Sequence, residues 1–349
     1  MRIRRTFPIV LAVLAIVAAV TLAVELRKIA PPEPVRLLPS ADGFFYLDLK
    51  TVRRANSGHA LPQVTHDPEY ERFIQQTGVE FERDLDEAAF AIHYPASWPG
   101  GGTGGASPEV CFSEVFEGKF QSQRLTAYFR QISRSVENYH SVEIFTIPVE
   151  NRLVRAAVLS ADSLAASNHV DDAVIKGIVD RSQRLASPFG GPAFLRQYYK
   201  NVQLASLAWV IARIDPSSPA LADWSIVFAR PATVVVSASA LSPLHLLPEA
   251  VRLRAEAFAQ SEAGASAIAE KVNTLLLMAR SAEVSVGTHG TDADVKALFD
   301  TLKVKQEGDR VAVTASMPIA FLHKIFSGSP PGANEAIPGP SSKTTEKPR

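Results

Sequence analysis

The side chains in this chain that could hold a metal ion or move a proton are eight histidines and a local run of acids. The densest histidine neighbourhood is SGHALPQVTHDPEYE, with His59, His66, Asp67 and Glu69. Imidazole and carboxylate together suit zinc and similar ions, so these residues could gather an ion on a loop. They equally suit a polar connection leading into a helix at Asp67, which needs no metal. His93, His140, His169, His245, His289 and His323 stand singly. No two histidines are spaced i, i+4 around a glutamate, the arrangement that puts two ligands on one helix face. Acids concentrate in GVEFERDLDEAA, with Glu80, Glu82, Asp84, Asp86 and Glu87. A glycosidase needs two carboxylates across a cleft; proximity in sequence does not supply one, and a solvated turn is expected.

Nucleophilic chemistry has no local signature. Neither Gly-x-Ser-x-Gly nor a Ser three residues before a Lys occurs, so neither an exposed nucleophile on a tight turn nor a base one helical turn away is written into the chain. The lone Cys111 allows no intrachain disulfide and, between Val110 and Phe112, reads as a structural strand position. Gly100, Gly102 and Gly105 in PGGGTGGASP have the spacing of a dinucleotide fingerprint, but Pro108 and a strand follow where the helix N-terminus that holds the pyrophosphate is required. That stretch reads as a loop, and its Trp98 either contacts a partner or folds back on the domain. No catalytic, cofactor-binding or metal-ligating residue and no cofactor is therefore assigned.

Arg2, Arg4 and Arg5 precede FPIVLAVLAIVAAVTLAV, Phe7 to Val24, which is free of charge. At about 1.5 Å per residue such a run reaches across a bilayer core, and the arginines favour a cytoplasmic N-terminus. An uncleaved signal anchor is expected; a cleaved signal peptide is the competing reading, with Thr21-Leu22-Ala23 as the cleavage motif. Lipid attachment is excluded because no Cys follows the run. Lys plus Arg and Asp plus Glu are 36 each, so no net field draws nucleic acid. The 349 residues are 46% hydrophobic and 21% charged, the composition of a globular chain.

These boundaries follow: 1–28, basic stub and transmembrane helix; 29–36, a stiff proline spacer; 37–187, a first subdomain; 188–326, a second; 327–349, a disordered tail. In the first, strands are expected at 44–49, 88–94, 110–118, 141–148 and 155–161, with helices from Asp67, at 122–133 and at 170–182. In the second, strands are expected at 204–214, 223–229, 232–240 and 282–288. Helices are expected across the alanine-rich 248–280, bent at Gly264, from Thr291, and from Met317. A hairpin turns at Glu307 to Asp309. Hairpins joined without helices argue for an α+β fold with mixed or largely antiparallel sheets and packed helices; whether the two series are related subdomains is left open. In FFYLDL, Phe45, Leu47 and Leu49 form a wholly apolar face expected to be buried. Phe44, Tyr46 and Asp48 form a face expected to be partly so, with Asp48 either solvated or capping a neighbouring amide.

LPSADGFFYLDL, EVFEGKFQSQRLTAYFRQI, NYHSVEIFTI and AAVLSADSLAASNHVDDAVIKGIVD together resemble bacterial membrane-anchored, extracytoplasmic proteins of unknown function. The resemblance spans 37–181 and, more weakly, 283–326, and departs at His140 and Ser141, where those proteins carry a glycine turn. It implies location and architecture and no catalytic residue. The expected function is a non-enzymatic periplasmic envelope protein, membrane-bound through its N-terminal helix and binding a protein or envelope component. The alternative is an extracytoplasmic hydrolase. The two differ in the surface they need: a deep pocket with convergent polar groups, or a broad patch or open sheet edge.

Overall fold

The computed structural model describes residues 30–55, 66–94, 110–150, 152–183, 190–240, 250–286 and 293–318. The expected anchor, the glycine-rich loop with Trp98, His59 and the tail lie outside them. No described helix is long and apolar enough to cross a membrane.

In chain order the elements are α1 (Glu33–Leu37), β1 (Gly43–Asp48), α2 (Leu49–Ala55), α3 (Pro68–Thr77), α4 (Phe81–Asp84), β2 (Leu85–His93) and β3 (Cys111–Gly118). Next come α5 (Ser122–Ile132), β4 (Ser135–Tyr139), β5 (Val142–Val149), β6 (Arg152–Val158), β7 (Ser163–Ser167) and α6 (Ala173–Gln183). The second series is α7 (Ala193–Tyr199), β8 (Ser206–Ile214), a 3-10 helix (Pro219–Ile226), β9 (Ala232–Ser239), β10 (Ala250–Phe258), α8 (Glu262–Val286), α9 (Ala293–Thr301), β11 (Lys303–Glu307) and β12 (Arg310–Pro318). The fold is α+β.

All the described strands join one 12-stranded antiparallel sheet in the order β11-β12-β10-β9-β8-β1-β2-β3-β7-β6-β5-β4. The two series meet at the β1·β8 pair, where Phe45 faces Val210 and Leu47 faces Ala208. From that seam each series runs outward through three strands, crosses by a helix (α5 or α8), and returns to pair its last strand with its third: β7 on β3, and β12 on β10. Each is preceded by a short helix whose N-cap is a proline, Pro32 or Pro192.

Local chemistry sets several boundaries, among them that of the helix expected from Asp67. Asp67 caps α3 by accepting from the amides of Glu69 and Tyr70, both at 2.8 Å, and Gly78 ends it in the left-handed region at φ 73°. Asp48 caps α2, accepting from Thr51 N at 2.8 Å and Thr51 Oγ1 at 2.6 Å.

Other expectations are corrected. The spacer 29–36 is not extended throughout: Glu33–Leu37 is helical and Val35 is fully buried, because prolines at the start of a helix cost nothing there. Residues 223–229 are not a strand; a 3-10 helix runs over Pro219–Ile226. The first part of the alanine-rich region is β10, where Arg252, Arg254 and Glu256 alternate with Leu253, Ala255 and Ala257, a period of two that outweighs alanine's helix propensity. Gly264 lies in the first turn of α8 and splits nothing, and α8 continues to Val286 where a strand was expected. Met317 and Pro318 close β12, and the rest of the helix expected from Met317 lies outside the described residues. β4, β7, α2 and α7 had no counterpart in the sequence reading. His140 and Ser141 take φ 49° and φ 66° in the β4–β5 hairpin, a two-residue turn with both φ positive that glycine would fill most easily.

Candidate functional site

The two faces of the central strands differ in what covers them. One face carries Phe44, Tyr46, Ala89, Ala91, Val115, Trp209, Ile211 and Val235, all buried under α1, α6 and α7 with Leu38, Ile175, Ile178 and Leu195. This reverses the expectation for β1. Phe44 and Tyr46 are the sealed side, whereas Phe45, Leu47 and Leu49 are half-buried, because α1, α6 and α7 pack over the middle of the first face.

The opposite face forms a grid set by the strand register. Its rows run Phe112, Ile92, Gly43, Ala212, Val234; then Glu114, Phe90, Phe45, Val210, Val236; then Phe116, Ala88, Leu47, Ala208, Ala238. Glu114 is the one polar side chain among them. At about 4.8 Å between strands and about 6.8 Å per two residues the grid measures roughly 19 by 14 Å. The described helices of this side pack over its two ends. α5 sits on a core of Leu125, Phe129, Phe145 and Leu164, and α8 on a core of Ala265, Ile268, Ile214 and Val311. Phe45, Leu47, Phe90 and Ile92 are half-buried between these cores, and Phe112 is exposed. Phe45 stacks on Phe90 with centroids 5.6 Å apart, and Phe90 meets Phe116 edge-on at 5.7 Å. Burial pushes the Glu114 carboxyl up. The signal for this face was present in the sequence as the wholly apolar side of β1; that the described helices on this side would gather over its ends was not.

The first histidine cluster comes apart and regroups. Asp67 is spent on the α3 cap, and Glu69 is exposed. His66 instead meets two acids of the second cluster: ligand atoms of His66, Glu80 and Glu82 all lie within 4.8 Å of one another. A divalent cation would find an imidazole and two carboxylates there. The same groups already have partners: His66 Nδ1 lies 3.0 Å from Glu71 Oε1, Tyr70 donates to Glu82 Oε2 at 2.7 Å, and Arg83 donates to Glu80 Oε2 at 2.7 Å. A closed polar network explains the grouping without an ion.

The remaining acids of GVEFERDLDEAA are not all solvated. Asp84 is buried and accepts from Glu80 N at 2.9 Å, with the Arg83 guanidinium holding its carboxyl low against the opposing effect of burial. Asp86 pairs with Arg53. Glu87 faces Glu117 across β2·β3 on the sealed side, and Tyr46 donates to Glu87. Burial and the neighbouring Glu87 push Glu117 up to about 8. A carboxyl raised in the folded state contributes most below its ordinary value near 4.3, and that contribution is lost as pH climbs through about 8. Glu117→Gln, which mimics the protonated form, is therefore expected to raise stability at pH 8.5 by about 1–2 kcal/mol after discounting for partial exposure. It should change little at pH 4.5; thermal melts at the two pH values check this.

Sequence reading also missed a buried serine–histidine contact. His93 Nε2 lies 3.1 Å from Ser113 Oγ, which lies 3.0 Å from Ser167 Oγ, and the charge of Asp42 acts on His93. The residue types match a nucleophile, a base and its orienter, but Ser113 is 0% exposed, and burial lowers His93 to about 4. As it stands the array is an internal polar chain tying β2, β3 and β7. One described cleft, about 620 Å³, lies between α7 and the ends of β9 and β10, with Lys200, Arg213, Asp215 and Asp309 on its walls; another, about 630 Å³, lies along β10, β11 and β12, with Arg254, Lys303, Lys305 and Glu307 on its walls. Cys111 opens β3 at a half-buried position.

No protein-family model and no curated protein matches the chain. Among solved structures it is similar to three crystal forms of TP0453. Form I aligns at TM-score 0.41 and 10% identity over 85% of this chain and 98% of that one. Form IV aligns at 0.42 and 8% over 85% and 97%, and form III at 0.45 and 8% over 85% and 98%. Agreement at that level assigns the chain neither a family nor an activity.

Proposed function

We propose that the chain is a non-enzymatic, membrane-anchored envelope protein that binds an apolar envelope component, an acyl chain, on the open face of its sheet. The observation that carries this reading is the contrast between the sealed and open sides of the same strands. Interior strands have their backbone polar groups engaged in the ladder, so the open face offers apolar burial and few hydrogen bonds. A protein segment laid across it would bring backbone amides with nothing to pair. An acyl chain brings none, and each methylene removed from water contributes about 0.8 kcal/mol. Exposed Trp224 and Ile226 on the 3-10 helix and Leu275, Leu277 and Met278 on α8 add apolar surface; Lys271 of α8 donates to Ser225 O, so these elements adjoin.

In this reading Phe7 to Val24 is the transmembrane anchor, the N-terminus is cytoplasmic and the sheet is extracytoplasmic. The residues between Val24 and Glu33 span at most about 30 Å extended, which keeps the domain near the bilayer. The two series are related subdomains; the matched order of helix, three strands, crossover helix and returning strand supports this. The test isolates the full chain from its membrane after crosslinking and identifies bound lipid and protein by mass spectrometry. A stoichiometric acyl lipid, lost in Phe90→Asp and Phe45→Asp, is expected. A specific protein partner without lipid would replace the acyl chain as occupant, and recovery of neither lipid nor protein would overturn the reading.

The hydrolase reading has one observation in its favour, the His93–Ser113 contact. A fluorophosphonate probe is expected to leave Ser113 unlabelled, and labelling of Ser113 would favour catalysis over binding.

A further inference from the structure

The open face has one polar side chain, and its chemistry narrows the ligand. We propose that this face takes an amphiphile with a single apolar chain and a protonated amine, and that Glu114 receives the amine. The assignment rests on the acyl-chain reading above.

Glu114 sits in the middle row of the grid, with Phe90 opposite on β2, Ala166 opposite on β7, and Phe112 and Phe116 flanking it on β3. Among the described residues no cation and no hydrogen-bond donor is paired with it. Burial alone raises its carboxyl, and no neighbouring charge contributes. Glu256, also on a central strand, is the contrast: it is buried, but Arg254 donates to it at 2.7 Å and Arg310 at 3.1 Å. A partly desolvated carboxyl without a partner is costly, and a ligand that supplies a cation removes that cost. An ammonium does so by a charge-assisted hydrogen bond. A carboxylate head would place like charges together in an apolar setting, and a hydroxyl would satisfy the hydrogen bond without the charge. The apolar chain would lie over Phe90, Phe45 and Val210, in line with Glu114 along the row.

The experiment titrates the full-length protein with dodecylamine, dodecanol and dodecanoate below their micelle concentrations, by calorimetry at pH 7.5. The amine is expected to bind about tenfold more tightly than dodecanol, equivalent to about 1.4 kcal/mol, and dodecanoate more weakly than both. Glu114→Gln is expected to remove the amine's advantage and leave dodecanol within about twofold. Equal affinities in the wild type, or a preference for dodecanoate, would overturn the role of Glu114 while leaving the apolar site standing. An unchanged amine affinity in a folded Glu114→Gln protein would do the same. Failure of all three to bind would overturn the acyl-chain reading and the assignment with it. The wild-type ranking needs no variant to fold.

Discussion

Trp209→Ala is expected to destabilise the whole domain by about 3–5 kcal/mol, the largest effect of any single substitution considered. Trp209 is almost fully buried on β8, stacked on Tyr46 of β1 at 5.6 Å and meeting Tyr199 of α7 at 5.4 Å. It therefore fills the seam where the two series join. Truncation removes the transfer energy of the ring and leaves a cavity that neighbours on two strands and a helix cannot close without moving. Because the seam belongs to both series, urea unfolding followed by far-ultraviolet circular dichroism should keep a single transition at a lower midpoint. Two separated transitions, with one unmoved, would mean that the series unfold independently and that the continuous sheet is not one cooperative unit.

Gly118→Ala is expected to cost about 2–3 kcal/mol, for a reason that involves no core volume. A Cβ at Gly118 would lie 2.3 Å from the carbonyl oxygen of Asp84 and 3.1 Å from Leu85 Cα. Both are backbone atoms, so no rotamer change relieves the overlap. The approach is held by hydrogen bonds: Lys119 N donates to Asp84 O at 2.8 Å and Gly118 N to Asp162 O at 2.9 Å. The β2·β3 register is already irregular at this point, between Leu85 and Glu87, so the strand cannot slip to make room without breaking the ladder. Urea denaturation of Gly118→Ala against Lys119→Ala, an exposed neighbour, measures the cost. Equal stability in the two would show that the close approach is not needed.

The element types were largely legible where the sequence period was clean, as in β3, α5, β8 and β9. They were not legible where composition and period disagreed. Alanines in β10 suggested a helix, although Arg252, Arg254 and Glu256 already alternated. The 3-10 helix over Pro219–Ile226 carries residues with high strand propensity, Trp224 and Ile226, that are exposed and so gain nothing from a sheet. The candidate site was half legible. The apolar side of β1 was visible, and so was the acidity around Glu80 to Glu87. That His66 would leave Asp67 and join Glu80 and Glu82, or that His93 would meet Ser113, depends on strands and helices far apart in the chain.

By itself the sequence determined what depends on near neighbours: strand alternation, the helix running from Asp67 to Gly78, and the charge-free run at the N-terminus. Each is decided by backbone sterics and by hydrogen bonds spanning a few residues. Only the tertiary structure decided that both series share one sheet and that Phe44 and Tyr46, not Phe45 and Leu47, face the helices. Both sides of β1 are rich in apolar residues, so its own residues are nearly indifferent to which side is covered. The choice is made by Val35, Ile175, Ile178 and Leu195, helix residues remote in sequence whose burial on one side leaves Glu114 and its aromatic neighbours on the other.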